Sequence, residues 1–111
     1  MMKLPLTTIV ILALPVSEVA RADTLQLSEI DRKTEAHIRS GNTGRNVQCF
    51  AYILKDFEER KIRKSDIYVT FDDPNIDGIG VAIAETDENY TCEAGELRAW
   101  EAGEYQAVKA F

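Results

Sequence analysis

The sequence is short of the residues on which most catalytic and metal sites depend. It has one histidine, His37, so no second histidine is present to complete a metal-binding pair. No GxSxG or HExxH motif occurs in the chain, and the two cysteines are too far apart for a CxxC redox or zinc motif. We therefore expect a protein that is not an enzyme and that uses no cofactor.

Basic residues are also scarce. Lys and Arg together number 13 against 19 Asp and Glu, which gives a net charge of −6. Residues 1–22, which are discussed below, hold two basic and one acidic residue, so 11 basic and 18 acidic residues remain without them, a net charge of −7. This surplus of negative charge repels the phosphates of nucleic acid and of anionic membranes. The composition thus argues against both as partners and favours a basic protein.

The negative charge is concentrated in the second half of the chain. Residues 23–64 contain nine basic and seven acidic residues, whereas residues 65–111 contain two basic and eleven acidic residues. One interpretation is an acidic surface that attracts a basic partner. The other is a solvated face whose charge only keeps the protein soluble.

No apolar run reaches the roughly 20 residues that a membrane-spanning helix needs. A shorter apolar stretch, residues 4–16, follows a single lysine and precedes the small residues around Ala22. This order predicts a signal peptide over residues 1–22 that is cleaved after Ala22, leaving a single small domain over residues 23–111. We expect an exported protein, in the bacterial periplasm or the extracellular medium, with no membrane insertion after cleavage.

The two cysteines, Cys49 and Cys92, both fall in the predicted mature domain. In a small exported domain an even number of cysteines indicates a disulfide framework, and two cysteines allow only one pairing. The alternative is a pair of buried free thiols. We predict a disulfide that joins a helix to a strand and closes a loop of 44 residues, counted inclusively.

Apolar residues recur at helical spacing in the first half of the mature chain. After an irregular start at residues 23–26, this spacing predicts a first helix with Ser28 as its N-cap, extending to Ile38. A second helix is predicted with Asn46 as its N-cap, a better developed apolar stripe over residues 47–57, and basic residues at its end, in the segment 60–64.

After residue 65 the period of the apolar residues changes from about 3.6 to about 2, which is typical of strands. Candidate strands cover residues 67–72, 79–84, 90–93, 97–100 and 105–111. The last of these segments fits a short helix as well. Helices followed by strands predict an α+β fold, with the two N-terminal helices packed on one face of a three- to five-stranded antiparallel sheet. We identify no internal repeat.

Exposed aromatic and acidic side chains are the candidates for contact with a basic partner. Charge speeds the encounter of two proteins, whereas buried aromatic anchors supply much of the affinity. The aromatic side chain at position 68 alternates with the apolar residues of its strand and is expected to face away from the helices. The predicted partner-binding residues are Tyr68, Asp72, Asp73, Tyr90 and Trp100.

One segment resembles half of a calcium-binding loop. Asp73, Asn75, Asp77 and Gly78 match the pattern D-x-[DN]-x-[DN]-G, in which alternate oxygen atoms converge on the ion. The acidic ligand at the twelfth position is missing, because that position is Ala84. A hairpin turn rich in Asp, Asn and Gly explains the same residues, so we predict no metal site here.

These observations favour a small exported acidic binding protein, of the inhibitor or toxin-immunity type, that caps a basic partner protein. One alternative is an accessory or structural subunit of a cell-envelope assembly that docks through an apolar patch. Another is a calcium- or ligand-binding module. The sequence leaves the oligomeric state and the identity of the partner open.

Overall fold

The computed structural model describes residues 23–111, so the predicted signal peptide over residues 1–22 lies outside the described residues. The described chain has a mixed α+β fold with two α-helices and a six-stranded antiparallel sheet. None of its helices is both long enough and apolar enough to cross a membrane. In chain order the elements are β1 (Asp23–Gln26), α1 (Arg32–Ser40), α2 (Gly44–Glu59), β2 (Ile67–Phe71), β3 (Gly78–Ile83), β4 (Asn89–Glu93), β5 (Glu96–Glu101) and β6 (Glu104–Ala110).

The strands lie side by side in chain order, and each is antiparallel to the next. The predicted count of three to five strands is wrong, because β1 adds a sixth strand before the helices. Residues 23–26 pair with β2, from Asp23 opposite Phe71 to Gln26 opposite Tyr68. A four-residue edge strand whose partner lies more than 40 residues away leaves no local periodicity to detect. The last predicted segment, residues 105–111, was compatible with a strand or a short helix. The structure shows a strand there, β6.

Both helices are found, but both predicted N-caps are wrong. Helix α1 begins after Asp31, whose side chain accepts a hydrogen bond from the backbone N–H of Thr34 at 2.8 Å. Ser28 lies instead in a short 3-10 helix that precedes α1. Helix α2 begins after Thr43, whose hydroxyl accepts from the backbone N–H of Asn46 at 3.2 Å. The cap thus lies three residues before Asn46, and this leaves the Asn46 side chain free for contacts with the sheet.

The buried core contains residues from both helices and from the sheet. Helix α2 contacts β3, β4 and β5, and the predicted disulfide between Cys49 of α2 and Cys92 of β4 is confirmed, with a Cα–Cα distance of 5.8 Å. Strand β2 alternates between buried and more exposed residues, as its sequence period predicts. The remaining buried apolar residues are Ile38, Phe50, Ile53, Phe57, Ile67, Val69, Phe71, Ile79, Val81, Ile83 and Leu97.

The connections between strands define two ends of the sheet. Because consecutive strands are antiparallel, the loop 72–77 and the turn 94–95 share one end, here called the Gly95 end. The loop 84–88 and the turn 102–103 share the opposite Gly103 end. At the Gly95 end the buried Asn46 side chain donates to the Asp77 carbonyl at 3.3 Å and accepts from the Gly95 backbone N–H at 2.8 Å. The first turn of α2 is thereby bonded to both connections at this end.

Candidate protein-binding surface

The two faces of the sheet can be told apart along β4. Tyr90 and Cys92 point toward α2, because the Tyr90 ring lies 6.0 Å from the Phe57 ring and Cys92 is bonded to Cys49. Side chains alternate along a strand, so Asn89, between the loop 84–88 and Tyr90, faces the other way. We call the face that carries Asn89 the outer face.

A row of side chains crosses the outer face near the Gly103 end. The register places Gln26 opposite Tyr68, Tyr68 opposite Ala82 and Ala82 opposite Asn89. Farther along the same face, in strands β5 and β6, Trp100 lies opposite Tyr105. The Tyr105 hydroxyl donates to the Asn89 side-chain oxygen at 3.0 Å. We call this set the aromatic row, and its members are Gln26, Tyr68, Ala82, Asn89, Trp100 and Tyr105.

The aromatic side chains of this row are both exposed and held in place. Trp100 is 44% exposed, and its ring packs edge-on against the Tyr105 ring at a centroid distance of 5.1 Å. Tyr68 is 36% exposed, and its hydroxyl accepts a hydrogen bond from the Gln26 side chain at 3.2 Å. Two of the predicted candidates, Tyr68 and Trp100, therefore share one surface. Large, positioned aromatic side chains of this kind are typical anchors of protein interfaces.

A polar group without a partner lies under the same face. Thr91 lies two residues after Asn89 in β4, so its side chain points to the same outer face. It is nevertheless only 3% exposed. Its hydroxyl oxygen has no hydrogen-bond partner among the described residues. Buried hydroxyl groups are nearly always hydrogen-bonded in folded proteins. The outer face thus contains a hydrogen-bonding group that the fold itself leaves unused.

Tyr90, another predicted candidate, lies apart from this surface. Its ring faces α2, and its hydroxyl donates to Glu88 at 2.7 Å. Burial raises the pKa of the Tyr90 hydroxyl, and the neighbouring Glu88 carboxylate raises it further. Glu88 is in turn bound by the Arg60 guanidinium, with the shorter contact at 2.6 Å. Tyr90 therefore connects β4 to the end of α2.

The Arg60–Glu88 contact gives stability a pH dependence. Hydrogen bonds from Arg60 and then from Tyr90 lower the pKa of Glu88 below its usual value. A carboxyl with a lowered pKa stabilises the fold above its unfolded pKa, and this contribution is lost as the pH falls through the folded pKa. We expect Glu88→Gln to cost up to about 1 kcal/mol at neutral pH, since both side chains are partly exposed and solvent screens the pair.

Thermal unfolding across a pH series measures this contribution. The difference between the parent and Glu88→Gln should shrink as the pH falls below about 4. Glu58→Gln, a neutralisation of an exposed carboxylate without an ion pair in the described chain, should change stability little at any pH. A constant difference between parent and Glu88→Gln down to low pH would contradict the assignment.

The two acidic candidates, Asp72 and Asp73, lie at the Gly95 end, away from the aromatic row. One oxygen of Asp72 lies 2.6 Å from His37 Nε2, which joins α1 to the loop 72–77. One oxygen of Asp73 accepts from the backbone N–H of Asn75 at 2.8 Å, so it shapes the loop. The structure does not bring these carboxylates together with Tyr68 and Trp100.

The calcium-like segment is a connection between strands. Gly78 opens β3, and a Cβ atom at this position would overlap the Cys92 carbonyl of the neighbouring strand. The backbone N–H of Asp77 donates to Glu93 at 3.3 Å. Within residues 23–111, no group of three or more His, Cys, Asp or Glu side chains is arranged to hold a metal ion. The glycine of the motif thus has a packing role in the sheet.

Acidic groups without a basic partner are concentrated at the Gly103 end. Of the eleven acidic residues in 65–111, five take part in ion pairs within the described chain and six do not. Asp73 and Asp77 are the unpaired ones at the Gly95 end. The four at the Gly103 end are Glu85, Asp87, Glu101 and Glu104. Four of the six unpaired acidic residues in 65–111 therefore lie at the same end as the aromatic row.

Sequence reasoning missed part of this surface. Tyr105 completes the aromatic row, and Glu101 and Glu104 flank the turn beside it, yet none of the three was a candidate. A signal was present, because Glu-Ala-Gly-Glu occurs at residues 93–96 and again at residues 101–104. The conclusion that the chain contains no internal repeat is therefore wrong.

The helical side carries a second feature, an apolar groove of about 440 Å³ between α1, α2 and the start of β2. Charged side chains that line it include Glu35, Lys55, Glu58 and Lys64. The apolar side chains that line it include Leu27, Ile30, Ile38, Phe50, Leu54 and Ile62. Its volume is within the range of ligand pockets.

Comparison of the chain with protein-family profiles, with curated proteins and with solved structures found no match. The two surfaces themselves therefore provide the basis for a functional proposal. One is aromatic and acidic, and the other is mainly apolar with charged residues of both signs in its lining.

Proposed function

We propose that this protein is a small exported binding protein, of the inhibitor or toxin-immunity type, that caps a basic protein with its sheet-forming half. The observation that carries the proposal is the aromatic row on the outer face together with four unpaired carboxylates at the same end of the sheet. Aromatic anchors and charge of one sign are the two components from which an electrostatically assisted interface is built.

The proposal includes an arrangement in which both helices lie on the same face of the sheet and leave the outer face free. The disulfide and the Phe57–Tyr90 contact support this for α2. For α1 the support is Ile38, which belongs to the same buried cluster as the inward residues of β2. Export through cleavage after Ala22 is also part of the proposal, and the disulfide agrees with an oxidising compartment.

The acidic surface makes a specific prediction about association kinetics. The probe is a protein retained by immobilised residues 23–111 from the host's envelope or extracellular fraction. We expect this protein to have a basic isoelectric point. Its association rate constant should fall at least tenfold as the ionic strength rises from about 0.01 to about 1 M, because screening removes the electrostatic attraction.

Matched variants separate the acidic end from charge in general. Glu85→Gln with Asp87→Asn should slow association, whereas Asp73→Asn at the Gly95 end should have a smaller effect. Tyr68→Ala should speed dissociation, because an exposed aromatic anchor is lost. A retained partner that is acidic, or one whose association ignores both salt and the neutralisations, would refute the proposal.

The apolar groove favours a second function, that of an accessory subunit of a cell-envelope assembly. In this case a partner places an apolar segment between α1 and α2. Leu54→Asp, which puts a charge on the half-buried lining, should then abolish binding, and rising salt should leave it unchanged. The two functions are thus distinguished by the same salt series.

A further inference from the structure

The chain builds the same short hairpin twice. Both copies of Glu-Ala-Gly-Glu form a two-residue turn in which alanine and glycine have positive φ, 55° and 75° in the first and 54° and 89° in the second. Such turns suit the twist of a hairpin. In each copy the two glutamates are direct cross-strand partners, Glu93 with Glu96 and Glu101 with Glu104.

The first hairpin shows what the paired glutamates bind. The Arg98 guanidinium lies 3.6 Å from Glu93 and 2.8 Å from Glu96, and its Nε donates to the same Glu96 oxygen at 3.1 Å. One arginine two residues after the second glutamate therefore neutralises both carboxylates. This matters because like charges that lie directly opposite each other destabilise a strand pair.

The second hairpin lacks this cation. The residue two positions after Glu104 is Gln106, a neutral side chain that donates to Glu104 at 3.5 Å. No basic side chain of the described chain is paired with Glu101 or Glu104. Every residue from position 100 to position 104 is exposed, so a partner can reach both carboxylates.

The next cross-strand pair in the second hairpin is Trp100 with Tyr105. Because side chains alternate, this pair faces the outer side while Glu101 and Glu104 face the opposite side. The tip of the hairpin thus carries carboxylates on one side and aromatic rings on the other. A flat partner surface reaches only one of these sides, whereas a cleft encloses both.

We propose that the β5–β6 hairpin tip, residues 100–105, enters a cleft of the basic partner and receives an arginine side chain between Glu101 and Glu104. The occupant is a guanidinium because the first hairpin holds that group between the same two residues, and because a planar guanidinium donates to two carboxylates at once. This inference rests on the proposed function and specifies the part of the acidic half that makes the contact.

A substitution that copies the first hairpin provides the most direct test. Gln106→Arg places a cation where Arg98 stands relative to its own glutamates. We expect this variant to melt at a higher temperature than the parent, since the like-charge pair is neutralised within the chain. It should also lose partner binding by at least about tenfold, because the receiving position is filled. Gln106→Lys should do both more weakly, since an ammonium lacks the planar fork.

A small-molecule probe tests the site without the partner. In NMR titrations with N-acetyl-arginine methylamide, the largest shifts should fall on the backbone amides of Glu101 and Glu104. They should be absent in Gln106→Arg and in the double variant Glu101→Gln, Glu104→Gln. N-acetyl-citrulline methylamide, which is isosteric and neutral, should give none. Shifts of equal size at all acidic residues, or unchanged arginine binding by Gln106→Arg, would overturn the inference.

The partner measurements separate this inference from the proposed function. If the hairpin receives an arginine, neutralising Glu101 and Glu104 should raise the dissociation rate about tenfold or more, whereas neutralising Glu85 and Asp87 should mainly slow association. If both pairs only slow association to the same extent, the acidic end attracts a basic partner but the hairpin is not inserted. If no basic partner binds at any salt concentration, the proposed function itself fails.

Discussion

Removal of the Cys49–Cys92 disulfide is expected to lower the free energy of unfolding by about 4 kcal/mol. The two cysteines are 43 residues apart, and the bond between them restricts the unfolded chain. For a domain of this size, such a loss corresponds to a fall in melting temperature of roughly 15 to 30 °C. The double variant Cys49→Ala, Cys92→Ala gives the measurement without a reducing agent.

Two controls accompany this measurement. Thiol titration of the unreduced protein under denaturing conditions should find no free thiol, and a reducing agent should leave the melting temperature of the double variant unchanged. The two single variants should be destabilised to a similar extent, since each breaks the same bond between two fully buried residues. Equal melting temperatures for reduced and oxidised parent would show that the bond contributes nothing to stability.

The disulfide also shows which parts of the fold a sequence of this length reveals. Its prediction needed only two cysteines in a chain expected to be exported, and the period-2 pattern of residues 67–72 predicted β2, which ends one residue earlier, at Phe71. The α+β class followed from the order of helices and strands. These features depend on local periodicity or on a count, both of which are visible in a single sequence.

Features that depend on distant partners were missed. Strand β1 is defined by its pairing with β2, which follows both helices, and nothing local marks it. The outward direction of Trp100 was also open in the sequence, because the sides of β5 are set by its pairing with β4 and β6. The same is true of Tyr90, whose hydroxyl is bound to Glu88 only because the end of α2 and the loop 84–88 meet.

The candidate surface was predicted only in part for a related reason. The sequence does not show whether an acidic side chain is unpaired, as Glu101 is, or takes part in an ion pair, as Asp72 does. Total charge therefore indicates the acidic half of the chain but does not show at which end of the sheet the unpaired carboxylates lie. The repeated Glu-Ala-Gly-Glu was the one local clue, and it becomes informative only when Arg98 is seen between the first pair of glutamates.

Asn46 is the second position at which a single change should have a large effect. Its side chain is 2% exposed and joins the first turn of α2 to the Asp77 carbonyl and the Gly95 N–H. Asn46→Ala removes both bonds and leaves a buried backbone N–H without a partner. A buried polar group left without a hydrogen-bond partner costs about 1 to 3 kcal/mol. Because the Gly95 N–H and the Asp77 carbonyl both lose their partner, we expect the free energy of unfolding to fall by about 3 kcal/mol.

Chemical denaturation of Asn46→Ala, with Gln48→Ala as the control, measures this loss. Gln48 lies on the exposed side of the same helix, so its truncation should cost no more than about 0.5 kcal/mol. The Gly95 amide should exchange faster in Asn46→Ala than in Gln48→Ala.

Because Asn46 acts at the Gly95 end, the folded fraction of Asn46→Ala should still bind the arginine probe at the Gly103 end. Parent-like stability of Asn46→Ala would mean that the two bonds do not hold α2 on the sheet.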